Sequence, residues 1–471
     1  MFMTTEYDVV IIGGGAVAEN VADRVVQGGL TAVLIESELV GGDCSYWACM
    51  PSKALLRSGI ALRAAQNVEG TKQAITGDLD VAATLARRDS FTHDWDDSSQ
   101  VDWVHGAGID LVRGHGRLSG EKQVSVEASD GSVTVLTARH AVVVSTGSDP
   151  VLPDIPGLAE SSPWTPRDAT SAKVIPKSLA IVGGGVVAVE MATAYASFGC
   201  EVTVLARSGL LGGQEDFAGE MVGTSLRKLG VKIVKAAPSV VSRNGDTLTI
   251  TADGHSFEAE EILVATGRQP RTTDIGLDSV GLKAGDWLTV DDTLLVTGTS
   301  WLYATGDVNH RALLTHQGKY QARAAGDVIV ARATGADVDD APWGTHVATA
   351  DNEAVPQVTF SDPEVASVGL TSTAAEKAGY EIRVVDYDLG WVAGASLQAD
   401  GYEGKARMVV DEKRKVILGV TFVGQDVSEL LQAATIAIVG EVPLDRLWHA
   451  VPAYPTMNEI WLRLLETYGR P

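Results

Sequence analysis

The stretch YDVVIIGGGAVAENVADRVVQGGLTAVLIESE, Tyr7 to Glu38, decides the fold. Tyr7 to Ile12 is a short β-branched run, three glycines follow at 13–15, and a helical stretch then runs to Gly28 and Gly29. A second apolar run, Thr31 to Ile35, ends in Glu36. Strand, glycine turn, helix, strand and acid in this order predict a βαβ unit that binds a dinucleotide. Each position of its G-x-G-x-x-A pattern has a physical task. Gly13 makes the tight turn, Gly15 lets the backbone approach a pyrophosphate, and the small Ala18 lets the helix pack close to the strand. The helix N-terminus faces the phosphates. Glu36, 23 residues after Gly13, can accept hydrogen bonds from both hydroxyls of an adenosine ribose.

The unit recurs in SLAIVGGGVVAVEMATAYASFGCEVTVLARSG, with Gly183, Gly185 and Ala188 in the same pattern and a second strand from Glu201 to Leu205. Here the position 23 residues after Gly183 is Ala206, and Arg207 follows. Without a carboxylate, a 2′-phosphate is no longer repelled, and an arginine can pair with it. The first site therefore reads as FAD and the second as NAD(P), with NADPH preferred to NADH. Arg207 has a plainer reading as a solvated surface arginine. Two strands closing in Thr-Gly, AVVVSTGSDP (Thr146, Gly147) and ILVATGRQPR (Gly267, Arg268), follow the two units. A third stretch, WLYATGDVN, sets Asp307 where a carboxylate can hold a ribityl hydroxyl. The helix expected to open near Thr315 and His316 could aim its N-terminal amides at the pyrimidine end of a flavin.

Composition bounds the setting. The chain has 471 residues, 50 of them glycine, which suggests several turns of close backbone approach. Acidic residues outnumber basic ones 61 to 37, a formal charge of −24 that argues against nucleic acid and anionic membranes as partners. Three cysteines make no secreted disulfide framework. The opening MFMTTEYDVVII has no basic segment, apolar run and small-residue cleavage site in succession, so a cytoplasmic protein without a signal peptide is expected. No metal site is expected either, since His93, His105 and His115 lack ligand spacing.

Two of the cysteines stand in GGDCSYWACMPSKALL, Gly41 to Leu56. Four residues separate Cys44 from Cys49, too wide for C-x-x-C, and only Cys200 remains, so no four-cysteine zinc site can form. With the two βαβ units around it, this stretch resembles the FAD-dependent pyridine nucleotide–disulfide oxidoreductases, a family that includes lipoamide dehydrogenase, glutathione reductase and mercuric reductase. The family's usual form is close to G-G-T-C-x-N-x-G-C-x-P-S-K. Asp43, Ser45, Tyr46, Trp47 and Ala48 depart from it, while both cysteines, Pro51 and Lys53 remain. The resemblance implies an α/β enzyme with two Rossmann-like dinucleotide-binding domains and a C-terminal α+β dimerisation domain. Its segments would be an FAD domain over 1–150, an NAD(P) domain over 151–272, a central FAD-contacting segment over 273–343 and an interface domain over 344–471. It implies a disulfide between Cys44, the interchange thiol, and Cys49, the flavin-side charge-transfer sulfur. It further implies Gly42 at the FAD, Lys53 near the flavin, and Glu190 as the partner of Lys53. The protein would be a homodimer in which the last residues of one chain complete the other's active site.

The pattern breaks in HAVPAYPTMNEIW. Relatives carry H-P-T-x-x-E, whose histidine serves the interchange thiol. Pro455, Thr456 and Glu459 are in place, but the histidine position is Tyr454. A phenol, with a reference pKa near ~10, cannot take a proton at neutral pH as imidazole at ~6.5 can. This counts against lipoamide and glutathione as substrates. Mercury reduction is disfavoured because no cysteine follows Cys200 to hand over the metal. A second arginine six residues after Arg207 is replaced by Gly213, and the usual aromatic gate by Val186. Tyr46 and Trp47 could stack on a quinone or simply pack. The expected reaction is electron transfer from NAD(P)H through flavin and the Cys44–Cys49 pair to an unidentified acceptor, a small-molecule or protein disulfide or a quinone. The alternative is direct reduction of a quinone or small electrophile from the flavin. Lipoamide dehydrogenase, mercuric reductase and a non-catalytic redox-sensing flavoprotein rank lower.

Overall fold

The apolar run at the start of the chain forms strand Glu6–Ile12, whose Val9, Val10 and Ile11 are fully buried. It lies in parallel between Ala32–Glu36 and Val133–Val144. The whole sheet runs Asp110–Arg113, Ala32–Glu36, Glu6–Ile12, Val133–Val144, Gln123–Glu127, His115–Gly120, and Leu302–Ala304 adds to Val133–Val144 in parallel. Parallel strands covered on both faces need no alternation of polar and apolar residues, which is why VVII and AVVV are unbroken. Helix Ala16–Gln27 buries Ala18, Val21, Ala22 and Val25, one stripe at helical spacing, and packs along helix Thr315–Thr334.

The computed structural model describes residues 5–469. They form two compact units, each assembled from three separate stretches. The sheet just described belongs to the unit built from residues up to 51, 89–151 and 267–352. The other comprises 52–88, 152–266 and the residues from 353 onward. Its second βαβ unit gives a four-stranded parallel sheet, Lys232–Val234, Glu201–Leu205, Ser178–Val182, Glu261–Val264, with an antiparallel three-stranded sheet from Pro238 to Ala259. The same unit ends in a five-stranded antiparallel sheet, Gln357–Thr359, Glu364–Gly369, Val416–Gly424, Lys405–Asp411, Ile382–Asp388. Helices Leu431–Val439 and Glu459–Tyr468 pack on it. Among the described residues, no helix is long and apolar enough to cross a membrane.

Candidate functional site

The first glycine turn shows two kinds of requirement. Gly13 has φ +107°, and a Cβ there would stand 2.4 Å from the Ser145 carbonyl oxygen. A Cβ on Gly15 would meet only the Gly42 Cα, at 3.9 Å. Gly13 is demanded by the fold, whereas Gly15 leaves a space that a side chain would fill. The Gly41 N–H donates to the Gly14 carbonyl at 2.8 Å, which draws the cysteine loop against this turn. Glu36 accepts from the N–H of Gly14 and of Glu38, both at 2.7 Å, and burial raises its pKa. Its remaining lone pairs are free for ribose hydroxyls. The buried Thr146 Oγ1 has no hydrogen-bond partner among the described residues, and Gly147 beside it has φ +75°. Open space at Gly15, an acid at the strand end and an orphaned hydroxyl fit FAD.

Asp307 accepts from the Ser148 hydroxyl. Gly267 and Arg268 are expected at the nicotinamide nucleotide. Strand Arg268–Pro270 pairs with Ser148–Pro150. That pairing delivers the guanidinium to Ser148, 3.4 Å from Asp43 and 3.6 Å from Asp307. Arg268 thus lies among Asp43, Ser148 and Asp307. Asp43, a departure from the usual threonine, is thereby held by a cation.

Gly41 and Gly42, at φ +108° and +60°, turn the chain into the short helix Gly42–Tyr46 that carries Cys44. Cys49 opens helix Cys49–Gln66. Both thiols are half-buried. The hydrogen bond from Cys44 to Cys49, and then burial, push the Cys44 pKa well above the usual thiol range; Thr315 and the Lys319 ammonium oppose this. Cys49 Sγ lies 3.3 Å from Oγ1 of Thr315, the first residue of helix Thr315–Thr334, with His316 next. A helix N-terminus favours negative charge on that sulfur. Tyr46 is fully buried and meets Trp47 edge-on, 5.7 Å between ring centroids, so Tyr46 packs.

In the second unit, Lys53 Nζ donates to Glu190 Oε2 at 2.8 Å and stands 4.9 Å from the Phe360 ring centroid. Glu190, 3% exposed, also accepts from the Phe360 N–H at 2.9 Å. The second glycine turn repeats the logic of the first. A Cβ on Gly183 would lie 2.2 Å from the Ala265 carbonyl oxygen, whereas one on Gly185 meets nothing within 4 Å. Ala188 is fully buried beneath the turn, and Arg207 is exposed at the end of strand Glu201–Leu205. A cavity of about 660 Å³ beside that strand end is lined by Ala206, Ser208, Arg227 and Lys235, and by the acids Asp216 and Glu220.

Tyr454 is 77% exposed. Glu459 is 5% exposed, and its Oε1 accepts from the N–H of Thr456 at 3.2 Å and of Gly394 at 3.3 Å. These two bonds tie down the backbone around Pro455. Two groups escaped the motif reading: Lys319, whose ammonium acts on Cys44, and Glu19, whose buried Oε1 has no hydrogen-bond partner among the described residues. The only trace of Glu19 in the sequence is an acid beside the apolar stripe of its helix.

The sequence matches the pyridine nucleotide–disulphide oxidoreductase family over residues 7–331 and that family's dimerisation domain over 355–464. It is 31% identical to a mercuric reductase of Shigella flexneri over 98% of this chain and 81% of that one. It is 30% identical to a dihydrolipoyl dehydrogenase of Chlamydia pneumoniae, over 98% of this chain and 96% of the other. Among solved structures, the Cu(II) complex of a HOCl-induced flavoprotein disulfide reductase of Escherichia coli matches with a TM-score of 0.84 at 23% identity, covering 98% and 99% of the two chains. That last likeness is one of fold. With both glycine turns, the cysteine pair and the two family matches in one chain, this protein belongs to the pyridine nucleotide–disulphide oxidoreductases and is a flavin-dependent enzyme of that type.

Proposed function

We propose that the protein oxidises NADPH and passes the electrons through FAD to the Cys44–Cys49 pair and on to a disulfide acceptor. The observation that carries this reading is the contact of the two thiols beside Thr315. Bound FAD would supply the two-electron relay between nucleotide and cysteines. The chain's own residues do the rest. Gly13, Gly15, Ala18, Gly42, Thr146 and Gly147 would seat the dinucleotide, Glu36 its ribose, and Asp307 with Arg268 its ribityl side. Lys53, oriented by Glu190, would face the flavin as a fixed positive charge. Thr315 and the helix it opens stabilise charge on Cys49, and Cys44 is left to meet the acceptor.

NADPH is supported over NADH by Ala206 in place of an acid, by the exposed Arg207 that follows it, and by the exposed cations Arg227 and Lys235 that line the cavity. The chain segments 1–150, 151–272, 273–343 and 344–471 would serve as FAD, nucleotide, central and interface parts of a homodimer. Mercuric ion, the substrate named for the Shigella relative, is set aside because no cysteine follows Cys200. A second reading, direct reduction of a quinone from the flavin, is favoured by Val186, which stands 40% exposed where relatives carry an aromatic gate.

The test counts protein thiols under anaerobic conditions before and after NADPH is added to oxidised enzyme. Two new thiols, mapped to Cys44 and Cys49, are expected. Consumption of NADPH with no new thiol would turn the reading toward the flavin-direct reaction.

A further inference from the structure

The cavity beside Ala206 has a wall that the C-terminal sheet holds in place. That wall is helix Asp216–Lys228, which contributes Asp216, Glu220 and Arg227 to the lining, with Gln214 just before it. The helix sits hard against the loop that precedes it: a Cβ on Gly219 would stand 2.2 Å from the Leu210 carbonyl oxygen. Leu211, next in that loop, donates its N–H to the Gly184 carbonyl at 2.7 Å. Helix, loop and second glycine turn therefore form one packed series. At the start of the helix stands Glu215, only 4% exposed, whose two neighbours in sequence, Gln214 and Asp216, both line the cavity. Glu215 accepts from the Ser372 N–H at 2.7 Å, from the Ser372 hydroxyl at 2.8 Å and from the Arg407 guanidinium at 2.9 Å. Arg407 also forks onto Asp386, at 2.7 and 2.8 Å. Arg407 and Lys405 stand 5.3 and 4.7 Å from the ring centroid of Phe217, in the first turn of the helix. Ser372, Asp386, Lys405 and Arg407 all fall within the dimerisation-domain match, and every residue of this series lies in one compact unit.

We propose that Arg407 and Glu215 are positioning residues for the nucleotide. Their ion pair holds helix Asp216–Lys228, and with it the loop and glycine turn, in the arrangement that binds the adenosine end of NADPH. The proposal deepens the reading of the cavity as the nucleotide seat and rests on it. Neither residue lines the cavity, so both act through the elements they hold. A carboxylate as deeply buried as Glu215 stays ionised only where cations and donors replace its water. Without Arg407, the two neutral donors of Ser372 are what remains of the bonds described above. The lowest-energy response is for Glu215 to turn toward water, which carries Gln214 and Asp216 with it and changes the lining. Gly219 lies against Leu210 with no spare space, so the loop and the Gly184 turn must follow. A pair that merely stapled the fold would alter melting and leave the affinity of the folded protein as it was.

The experiment titrates the FAD-loaded enzyme with adenosine 2′,5′-bisphosphate by calorimetry, well below the melting transition, in wild type, Glu215→Gln, Arg407→Met and the double variant. Each single variant should weaken binding roughly fivefold. The double variant should be no weaker than the worse of the two, because both cut one link. Arg407→Lys, which keeps a cation at Glu215, should restore most of the affinity. Lys228→Ala, which removes only an exposed pair with Glu403 on the same helix, should bind as wild type does. In stopped flow, the NADPH concentration giving half-maximal flavin reduction should rise by the same factor, with the limiting rate within about twofold of wild type. Wild-type affinity in the single variants, an equal loss in Lys228→Ala, or losses that multiply in the double variant would overturn the proposal. Should Arg407→Met fail to fold, Glu215→Gln decides by the same criterion. The nucleotide reading is scored on wild type alone. Binding of neither adenosine 2′,5′-bisphosphate nor ADP would overturn it and the proposal together. Equal affinity for the two would remove only the preference for NADPH, and the variants' losses would then be read on ADP.

Discussion

Gly13 and Gly15 are two residues apart, yet they answer to different forces. Gly13 satisfies a left-handed turn against the Ser145 carbonyl, so Gly13→Ala should unfold the turn and yield little intact protein. Gly15→Ala meets no clash in the chain and should fold with a near-normal melting curve, but lose most of its FAD on dialysis. A flavin-to-protein ratio near one in Gly15→Ala would show that the open space is not the pyrophosphate seat. Glu19 adds a pH signature. Its folded pKa, about 7, lies above the ordinary value of 4.5, so its stabilising share is complete at acid pH and fades as pH rises from about 4.5 through 7. Glu19→Gln should therefore be more stable than wild type at pH 8, by on the order of 1 kcal/mol, with little gain at pH 4. Equal gains at both pH values, read from urea midpoints, would mean that the carboxyl does not titrate in this range.

The βαβ units were legible because hydrophobic runs, glycine spacing and the terminal acid are all local. Strand Glu6–Ile12 and helix Ala16–Gln27 lie where the pattern puts them. The place of Arg268 beside Ser148 was not legible locally, because it depends on the pairing of Arg268–Pro270 with Ser148–Pro150, more than a hundred residues away in the chain. Glu19 was missed for a similar reason: its burial comes with the packing of its helix on Thr315–Thr334, some 300 residues further on. The family resemblance implied Lys53 and Glu190 as partners, and the two side chains lie 2.8 Å apart. Glu190→Gln removes the charge that orients Lys53 while keeping its shape. It should fold normally and slow reduction by NADPH about tenfold, roughly 1.4 kcal/mol on the barrier. A stopped-flow rate within twofold of wild type would reduce the pair to a structural contact.

Across the whole molecule, chain order and spatial grouping part company, since residues 52–88 join the unit that holds the second βαβ and the C-terminal sheet. Arg88, fully buried in that segment, donates to the carbonyls of Thr170 and Ala172. Arg88→Met removes both donations and should lower the unfolding free energy by about 2 kcal/mol. If the cost of burying the guanidinium dominated instead, the variant would match or exceed wild type, and the urea midpoint distinguishes the two. The C-terminal region leaves Trp391, Leu397, Ile436 and Val451 between 60% and 85% exposed, in keeping with the dimerisation domain matched there. The central claim, however, is that Cys44 is the outlet for electrons. Its most direct test is NADPH oxidation by wild type and Cys44→Ser against the same set of disulfides and quinones. Disulfide turnover that disappears in the variant while flavin content is unchanged is the predicted result. Turnover that survives, carried mainly by quinones, would contradict it and make the flavin itself the outlet.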